Sequence, residues 1–382
     1  MNWLKSTLSA AVGTQEPIYG PEAIHSVAKQ AGETSYTELS KDQLRWKAFQ
    51  YTNVETKTFY IMADDGNLFM VQVIYSNIAG IHTTAHFNTK IFNLKGDKPH
   101  VWHTDALSNF MFDEQMHSFG ADNLTIHLND QGDVYQIKST VNADSVVDLK
   151  FSRTAPGFVA GKDGTTLFGT DPKSPWGSMY HGFWPRCAVE GTLTTKEKTY
   201  DLTGRGVFIA ALQGMKPHHA AARWNFINFQ TPTFSAVMME FTTPPSYGST
   251  TVNVGGVVKD NEVVYAGTTN SVAHTGSTQD PESDWPEPTS IKWEWTGKTA
   301  DGKDFSAVVD GPLGARQDRV DVMGEVPGFI KTIAGSVAGT RPYIFQNVAS
   351  STPQQKLKLM VKMGDTEVEE EGIMFSESTF IS

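Results

Sequence analysis

Cysteine is almost absent from this sequence of 382 residues. Cys187 is the only one, so the chain cannot form a disulfide bond within itself, and this favours a reducing compartment. No apolar run approaches the roughly 20 residues that a membrane-spanning helix needs. The first residues also lack the succession of basic region, long apolar core and small-residue cleavage site that marks a secretory signal. We therefore expect neither a membrane-spanning helix nor secretion.

Positive charge is scarce as well. The sequence has 31 Lys and Arg against 42 Asp and Glu, which gives a formal net charge of -11. Binding to the phosphates of nucleic acid needs clustered Lys and Arg, so we expect no nucleic-acid partner. Hydrophobic residues make up 39% of the chain and aromatic residues 11%. These fractions allow a sizeable core and are typical of β-structure with apolar cavities.

Recognisable catalytic and metal-binding motifs are missing too. The serines lack the Gly-x-Ser-x-Gly context of a nucleophile. On a strand, His82 and His86 would lie about 13 Å apart, and His100 and His103 would point to opposite faces, so neither pair favours a shared metal ion. We therefore predict no metal site and no cofactor, and we single out no catalytic residue.

Alternating apolar and polar residues run through most of the chain after residue 40. The period of two predicts strands, and Asp64-Asp65-Gly66-Asn67 between two of the runs is typical of a hairpin. At least eight strand candidates precede the sequence around residues 215–222, and a second series follows it. We predict an all-β chain with domains at 41–218 and 219–382. An up-and-down antiparallel barrel is the economical packing for about eight strands.

The N-terminal segment, residues 1–13, has a helical period instead. Trp3, Leu4, Leu8 and Val12 fall on one stripe, and a helix of about three turns is marginal alone in water. Something must therefore cover the stripe. Two interpretations are open, namely an interfacial helix in the head-group region of a membrane and a helix that docks on its own domain. Residues 14–40, which Pro, Gly and Ser punctuate, are interpreted as a linker or strap.

The stretch from Trp176 to Gln230 concentrates large aromatic side chains. Strand alternation would place His181 and Phe183 on one face and Trp184 and Arg186 on the other. Both faces carry bulky groups, which predicts a strand that is buried on two sides or lines a cavity. A buried Arg186 would need a partner because an unpaired buried charge is costly. An exposed arginine near a strand end is the alternative.

Several of these blocks together resemble the fungal survival factor family. The resemblance runs nearly end to end and is carried by EPIYGPEAIHS, HGFWPRCAVEGTL, GRGVFIAALQGMKPHHAAARWNFINFQ and GTRPYIFQN. It implies two tandem lipocalin-like (calycin) antiparallel barrels and an N-terminal amphipathic helix that contacts membranes. It also implies a role in survival under oxidative and cold stress, in sphingolipid homeostasis and in moving ceramide from the endoplasmic reticulum to the Golgi.

On this resemblance we expect a lipid carrier in the cytoplasm, peripherally associated with Golgi and endoplasmic reticulum membranes, with the nucleus as a further location. Its partners would be ceramide, or a similar long-chain apolar ligand, and the membrane surface. We expect His181, Arg186 and Trp224 in the pocket region, with Phe183 and Trp184 as apolar lining. One alternative is a hydratase or isomerase that acts on an apolar polyene-like substrate, because bacterial carotenoid hydratases share the family's fold. The other is a scaffold whose barrels are filled by their own side chains.

Overall fold

The structure is a computed structural model that describes residues 17–94, 100–314, 316–325, 342–349 and 357–382. The predicted N-terminal helix lies outside the described residues. Strands dominate the described chain, so the prediction of a mostly β protein is confirmed. The helices are short. Those in the described residues are three 3-10 turns at Pro21–Ala23, Asp42–Leu44 and Pro245–Tyr247, and three α-helices at Val27–Ala31, Pro217–Ala220 and Val322–Glu325.

The first part of the chain forms a sheet of sixteen strands. These are β1 Ile24–His25, β2 Tyr36–Glu38, β3 Asn53–Ala63, β4 Leu68–Ile78, β5 His82–Phe92, β6 Val101–Ala106, β7 Met111–Phe112, β8 Phe119–Ala121, β9 Leu124–Leu128, β10 Val134–Ser139, β11 Val146–Arg153, β12 Phe158–Ala160, β13 Thr165–Phe168, β14 Gly177–Thr194, β15 Thr199–Asp201 and β16 Gly204–Gln213. The main path runs β6-β5-β4-β3-β16-β14-β11-β10-β9-β8-β7. The predicted hairpin is confirmed, because the Ala63 amide between β3 and β4 donates to the Asn67 carbonyl at 2.9 Å.

This first sheet curls upon itself. The ring of Tyr75 on β4 lies 5.5 Å from the ring of Phe112 on β7, although the two strands are far apart along the sheet. The Thr89 hydroxyl on β5 donates to the Ser145 hydroxyl beside β11 at 2.8 Å. The enclosed face carries one continuous apolar core, to which most strands of the path contribute. The first part is therefore a curled half-barrel whose interior side chains pack against one another.

The second part contains two further antiparallel sheets. Its strands are β17 Arg223–Gln230, β18 Phe234–Thr242, β19 Thr251–Lys259, β20 Glu262–Gly267, β21 Asn270–Gln279, β22 Pro286–Lys298, β23 Asp304–Pro312, β24 Arg316–Asp321, β25 Tyr343–Ala349, β26 Lys358–Met363, β27 Thr366–Glu371 and β28 Ile373–Phe380. The sheet orders are β20-β19-β18-β17-β28-β25-β24 and β21-β22-β23-β26-β27. A second core lies between them, where the Trp295 indole donates to the Val237 carbonyl at 3.1 Å. The second part is thus two facing sheets rather than one continuous sheet.

A third apolar core joins the two parts. Sheet membership changes between Gln213 at the end of β16 and Arg223 at the start of β17. Tyr60 on the outer face of β3 lies 5.2 Å from the ring of Phe226 and 5.0 Å from that of Phe375, measured between ring centroids. We call this buried contact the interdomain layer. In this layer the seven-stranded sheet covers the outer face of the half-barrel.

The segment at residues 17–40 adds short strands to the first sheet and touches the second part. β1 pairs with β13, and β2 pairs with β12. The Tyr19 amide donates to the Ser246 carbonyl at 2.8 Å. Ser26 caps the helix Val27–Ala31 by accepting from the Lys29 amide at 3.2 Å. These contacts bind the segment across both parts of the molecule.

Candidate functional site

Strand β14 directs its side chains to two different cores. His181 lies in the interdomain layer between the two parts, where its ring approaches that of Phe183. Trp184 belongs to the core inside the half-barrel. The predicted alternation is therefore confirmed for these residues, and the strand is buried on both sides. It follows that the predicted ligand-binding residues do not form one cluster.

The interdomain layer brings three of the predicted residues together. The ring centroid of His181 lies 6.4 Å from that of Phe183 and 5.9 Å from that of Trp224. Phe241 on β18 completes the group, 5.3 Å from Trp224. His181 comes from the first sheet and Trp224 from the second, so the group exists only when the two parts are packed. Burial lowers the pKa of His181 to about 4, which keeps its ring uncharged at neutral pH.

This buried ring predicts a loss of stability in acid. Between the ordinary pKa of 6.5 and the folded value of about 4, the unfolded chain binds a proton that the folded chain does not. Stability therefore falls as the pH drops through this window, by at most about 3 kcal/mol for this one group. We expect His181→Leu to show a shallower fall between pH 6.5 and pH 4 in urea unfolding. Equal slopes in the wild type and in His181→Leu would contradict the assignment.

The half-barrel interior contains an aromatic cluster with two unpaired donors. Trp184 lies 5.2 Å from Tyr135 and 4.9 Å from Phe208 between ring centroids. Within the described chain, the Tyr135 hydroxyl and the Trp184 indole nitrogen are buried without a hydrogen-bond partner. A buried donor without a partner costs about 1–3 kcal/mol, so such pairs are uncommon in a core that serves packing alone. Both donors could satisfy an acceptor oxygen brought in by a ligand.

Polar groups of β3 lie on one side of this cluster, where the Lys57 ammonium is 5.9 Å from the centroid of the Phe208 ring. The Lys57 ammonium is buried and donates to the Leu44 carbonyl at 2.7 Å, and burial lowers its pKa to about 8. Glu55 accepts from the backbone amides of Lys47 and Ala48 at 2.9 and 3.0 Å. Burial raises the pKa of Tyr135, so its hydroxyl keeps its proton and remains a donor. Nothing in the sequence marks Lys57 or Tyr135, because both lie in ordinary strand patterns.

Arg186 lies away from Trp184 because the register of β14 and β16 shifts between Trp184 and Cys187. Its guanidinium donates to the Ser235 hydroxyl at 3.0 Å and to the Pro232 carbonyl, both in the second part. Arg205 on β16 donates to the neighbouring Thr231 carbonyl at 2.8 Å. Arg186 is half-buried, and its partners lie in the turn between β17 and β18 and at the start of β18, so the side chain joins the two parts.

A polar cluster inside the second part is the arrangement most relevant to acid–base chemistry. Glu240 accepts from Asn225 and Asn253 at 3.3 and 3.1 Å, and burial raises the pKa of its carboxyl. The same His274 nitrogen, Nε2, lies 2.8 Å from the Asn225 amide oxygen and 3.5 Å from the Ser378 hydroxyl. A catalytic triad uses the two ring nitrogens for two different partners. This cluster therefore lacks triad geometry but holds a buried carboxyl.

One open groove of about 470 Å³ lies at the edge of the second part. Its walls carry the charged residues Lys259, Glu262, Asp301 and Lys303. Such walls do not match a long hydrocarbon chain. Among the described residues no helix is long and apolar enough to cross a membrane, and no group of three or more His, Cys, Asp or Glu could hold a metal ion.

Comparison with known proteins identifies the family. The model of the Svf1 family matches residues 1–382. The chain belongs to the Svf1 family. This confirms the resemblance to the fungal survival factors. A relative from Aspergillus fumigatus named ceramide-binding protein svf1 is 71% identical over 100% of both chains. A relative of the same name from Schizosaccharomyces pombe is 41% identical over 100% of this chain and 99% of its own.

Solved structures with low identity share the fold of this Svf1 family member. CghA with Sch210972 has a TM-score of 0.59 at 11% identity and covers 87% of this chain and 89% of its own. A protein from Nitrosomonas europaea described as a putative AttH has a TM-score of 0.55 at 9% identity, over 91% and 98%. Kievitone hydratase from Nectria haematococca has a TM-score of 0.51 at 10% identity, over 96% and 99%. At these identities the likeness concerns the fold alone.

Proposed function

We propose that this protein binds ceramide and carries it between the endoplasmic reticulum and the Golgi, and thereby supports survival under oxidative stress. The observation that carries the proposal is the match over the full length to relatives named ceramide-binding proteins, at 71% and 70% identity for two of them. The carrier would work in the cytoplasm, at the surface of these membranes, with the nucleus as a further location. Trp3, Leu4, Leu8 and Val12 would form its membrane-binding helix.

The fold proposed for this carrier is a tandem pair of lipocalin-like units. The curled first sheet would be the first unit, at residues 41–218, and the two facing sheets would be the second, at 219–382. Residues 14–40 would act as the strap, which is supported by the pairing of β1 and β2 with strands of the first sheet. Each unit has its own apolar core, as two lipocalin-like units require.

The head group of the lipid would bind inside the first unit. Ceramide carries an amide carbonyl and hydroxyl oxygens, all of which accept hydrogen bonds. The Tyr135 hydroxyl and the Trp184 indole are donors without partners in the described chain, and their rings are adjacent. A bound acceptor would convert two costly donors into satisfied ones. The proposed anchor is therefore this pair, with the Lys57 and Glu55 side chains beside it.

The hydrocarbon chains would supply most of the affinity. Each buried methylene contributes about 0.8 kcal/mol, so two long chains need few polar contacts. We assign their lining to the apolar core of the half-barrel, on the same face of β14 as the anchor. The interdomain layer around His181, Phe183 and Trp224, whose side chains are apolar or uncharged at neutral pH, lies on the other side of β14 and is the alternative location for the whole lipid. Arg186 would hold the second unit against this layer through Ser235.

Lipid analysis of the purified protein tests the function. We expect intact ceramide at close to one molecule per chain in protein purified from eukaryotic cells, and transfer of fluorescent ceramide from donor to acceptor vesicles. Mass spectrometry of the extracted lipid gives the first result, and loss of donor fluorescence gives the second. Protein that carries no lipid and transfers none would instead be a scaffold, and the proposal would fail.

An enzyme that hydrates or isomerises an apolar substrate is the second candidate. The observation that favours it is Glu240, a buried carboxyl with a raised pKa beside His274 and Ser378 through Asn225. A carboxyl whose pKa is raised holds its proton to higher pH and can supply it to a double bond. In the same lipid analysis, a product with the mass of added water, absent from a Glu240→Gln variant, would favour this candidate over the carrier.

A further inference from the structure

Exposed apolar side chains are concentrated at one end of the first sheet. Of the six large hydrophobic residues that are exposed in the described chain, five lie there. They are Ile18, Tyr51, Ile81, Met111 and Trp176, with exposed fractions of 85%, 48%, 89%, 66% and 43%. The sixth, Met360, is 39% exposed and lies on β26 in the second part. We call the group of five the apolar end.

Strand register shows which strand ends lie together at this end of the sheet. The paired residues there are Phe168↔Gly177, Met179↔Gln213, Gln213↔Val54, Asn53↔Asn77, Ile78↔His82 and His86↔Ala106. Trp176 directly precedes the first residue of β14, and Tyr51 precedes β3 by two positions. Ile81 is in the turn between β4 and β5. Met111 begins β7, a few residues after the end of β6. These four side chains therefore lie at the same end of the sheet.

Several of these side chains are held in place by packing. The rings of Tyr51 and Phe49 stack with centroids 4.7 Å apart. Trp176 lies 4.8 Å from Tyr19, next to Ile18, and its indole donates to the Tyr247 hydroxyl at 2.9 Å. Exposed apolar residues scattered singly need no explanation, but a rimmed group on one face marks an interaction surface. The apolar end is thus a preformed surface.

The position of the N-terminal segment indicates what covers this surface. The described chain begins at Pro17, and Ile18 follows it within the apolar end. The amphipathic stretch that contains Trp3 and Leu8 therefore joins the folded part at this same edge. Trp, Tyr and aliphatic side chains are favoured at the interface of a lipid bilayer. Both the apolar stripe of this stretch and the apolar end carry such side chains.

We propose that the apolar end is a second membrane contact, beside the N-terminal helix. It holds the first unit with this end of its sheet against a lipid bilayer. The inference depends on the membrane contact within the proposed function and not on ceramide as the ligand. A helix alone would leave the folded part free to turn on its tether. Two contacts at one edge fix the orientation of the curled sheet relative to the bilayer.

Vesicle flotation with the full chain tests this surface. The variant Ile18→Ser/Ile81→Ser/Met111→Ser removes three highly exposed side chains and adds no charge. We expect its partition onto phosphatidylcholine vesicles to fall between about tenfold and about a thousandfold, because each of the three side chains contributes up to roughly one factor of ten when fully buried in the bilayer. Met360→Ser is the matched control, and it should bind as the wild type does. Thermal unfolding confirms that all variants remain folded.

A second set of variants distinguishes the contribution of this surface to membrane binding from that of the N-terminal helix. Leu4→Asp/Leu8→Asp should weaken binding by itself, and adding the three serine substitutions should remove the remainder. Unchanged flotation of the triple serine variant overturns the proposal, as does a triple variant whose only change is loss of self-association in sedimentation. Ceramide content is measured in the same samples. Wild-type protein that floats but carries no ceramide would count against the carrier function and leave this surface intact.

Discussion

Replacing Trp184 with alanine is expected to destabilise the protein by about 3–5 kcal/mol. The side chain is fully buried and packs against Tyr135 and Phe208. The Arg153 guanidinium lies 5.8 Å from its ring. Removing the indole leaves a large cavity that closely packed strands cannot close. Urea unfolding followed by circular dichroism measures the loss, and a change below about 1 kcal/mol would show that this core is loosely packed.

Trp184→Phe separates the packing role of this residue from its proposed contact with ligand. Phenylalanine keeps most of the apolar volume and removes the indole donor. Trp293 provides a matched control in the second unit, since its side chain is also fully buried and its indole nitrogen also lacks a partner within the described chain. We expect both Phe variants to fold. Only Trp184→Phe should bind ceramide more weakly, about five- to tenfold, the value of one hydrogen bond.

The outcome of that comparison locates the head group. Equal ceramide affinity for Trp184→Phe and wild type would remove the anchor from the half-barrel interior and leave the carrier function itself untouched. Equal weakening by Trp184→Phe and Trp293→Phe would indicate a general effect of core disturbance. His181→Leu then tests the interdomain layer, on the other side of β14, as the remaining location among the predicted residues.

Replacing Lys90 with methionine is expected to cost about 3 kcal/mol, near the lower end of the range for breaking a buried ion pair. The Lys90 ammonium is buried and pairs with Asp318, which is 26% exposed, and it donates to the side-chain amide oxygen of Gln346 at 2.6 Å. Gln346 in turn donates to Glu377 at 2.6 Å. Lys90 belongs to the first unit and its partners to the second, so the substitution should also weaken the contact between the units. Urea unfolding at pH 7 measures the loss.

The pH dependence of the Lys90→Met deficit provides a second readout. Burial raises the pKa of Glu377, and Lys90 partly offsets that rise. Without the ammonium, the folded pKa of Glu377 rises further above the ordinary value of 4.5, so the deficit should grow as the pH rises above 4.5 and shrink in acid. Lys298→Met is the control, because its pair with Asp304 is exposed and should be worth less than about 1 kcal/mol. A deficit independent of pH would contradict the role given to Glu377.

The local sequence pattern was sufficient to predict the strands, but it did not predict the irregularities within them. The period of two predicted β-structure, and Asp64 to Asn67 predicted a hairpin that the structure contains. The same rule separated Phe183 from Trp184 correctly, because side chains alternate along any regular strand. It failed at Arg186, where the register of β14 shifts. A shift of this kind depends on pairing with β16, which the sequence of β14 alone does not contain.

The buried polar groups could not be predicted for a different reason. Lysine is almost always exposed, so neither Lys57 nor Lys90 stood out in the sequence, although both are buried. Lys90 and Asp318 are 228 positions apart, and no local spacing connects them. Tyr135 likewise looks like any strand tyrosine until the curled sheet encloses it, and its hydroxyl then has no partner among the described residues.

The sequence by itself determined the β class, the strand pattern, the membership of the Svf1 family and the amphipathic character of the first residues, because these depend on neighbouring positions or on recognisable blocks. Only the tertiary structure decided that β14 separates two cores, that Arg186 joins the units and that five exposed apolar residues share one edge. Each of these depends on which strands pair and on which faces meet. Packing brings together residues from distant parts of the chain, and local periodicity carries no information about that.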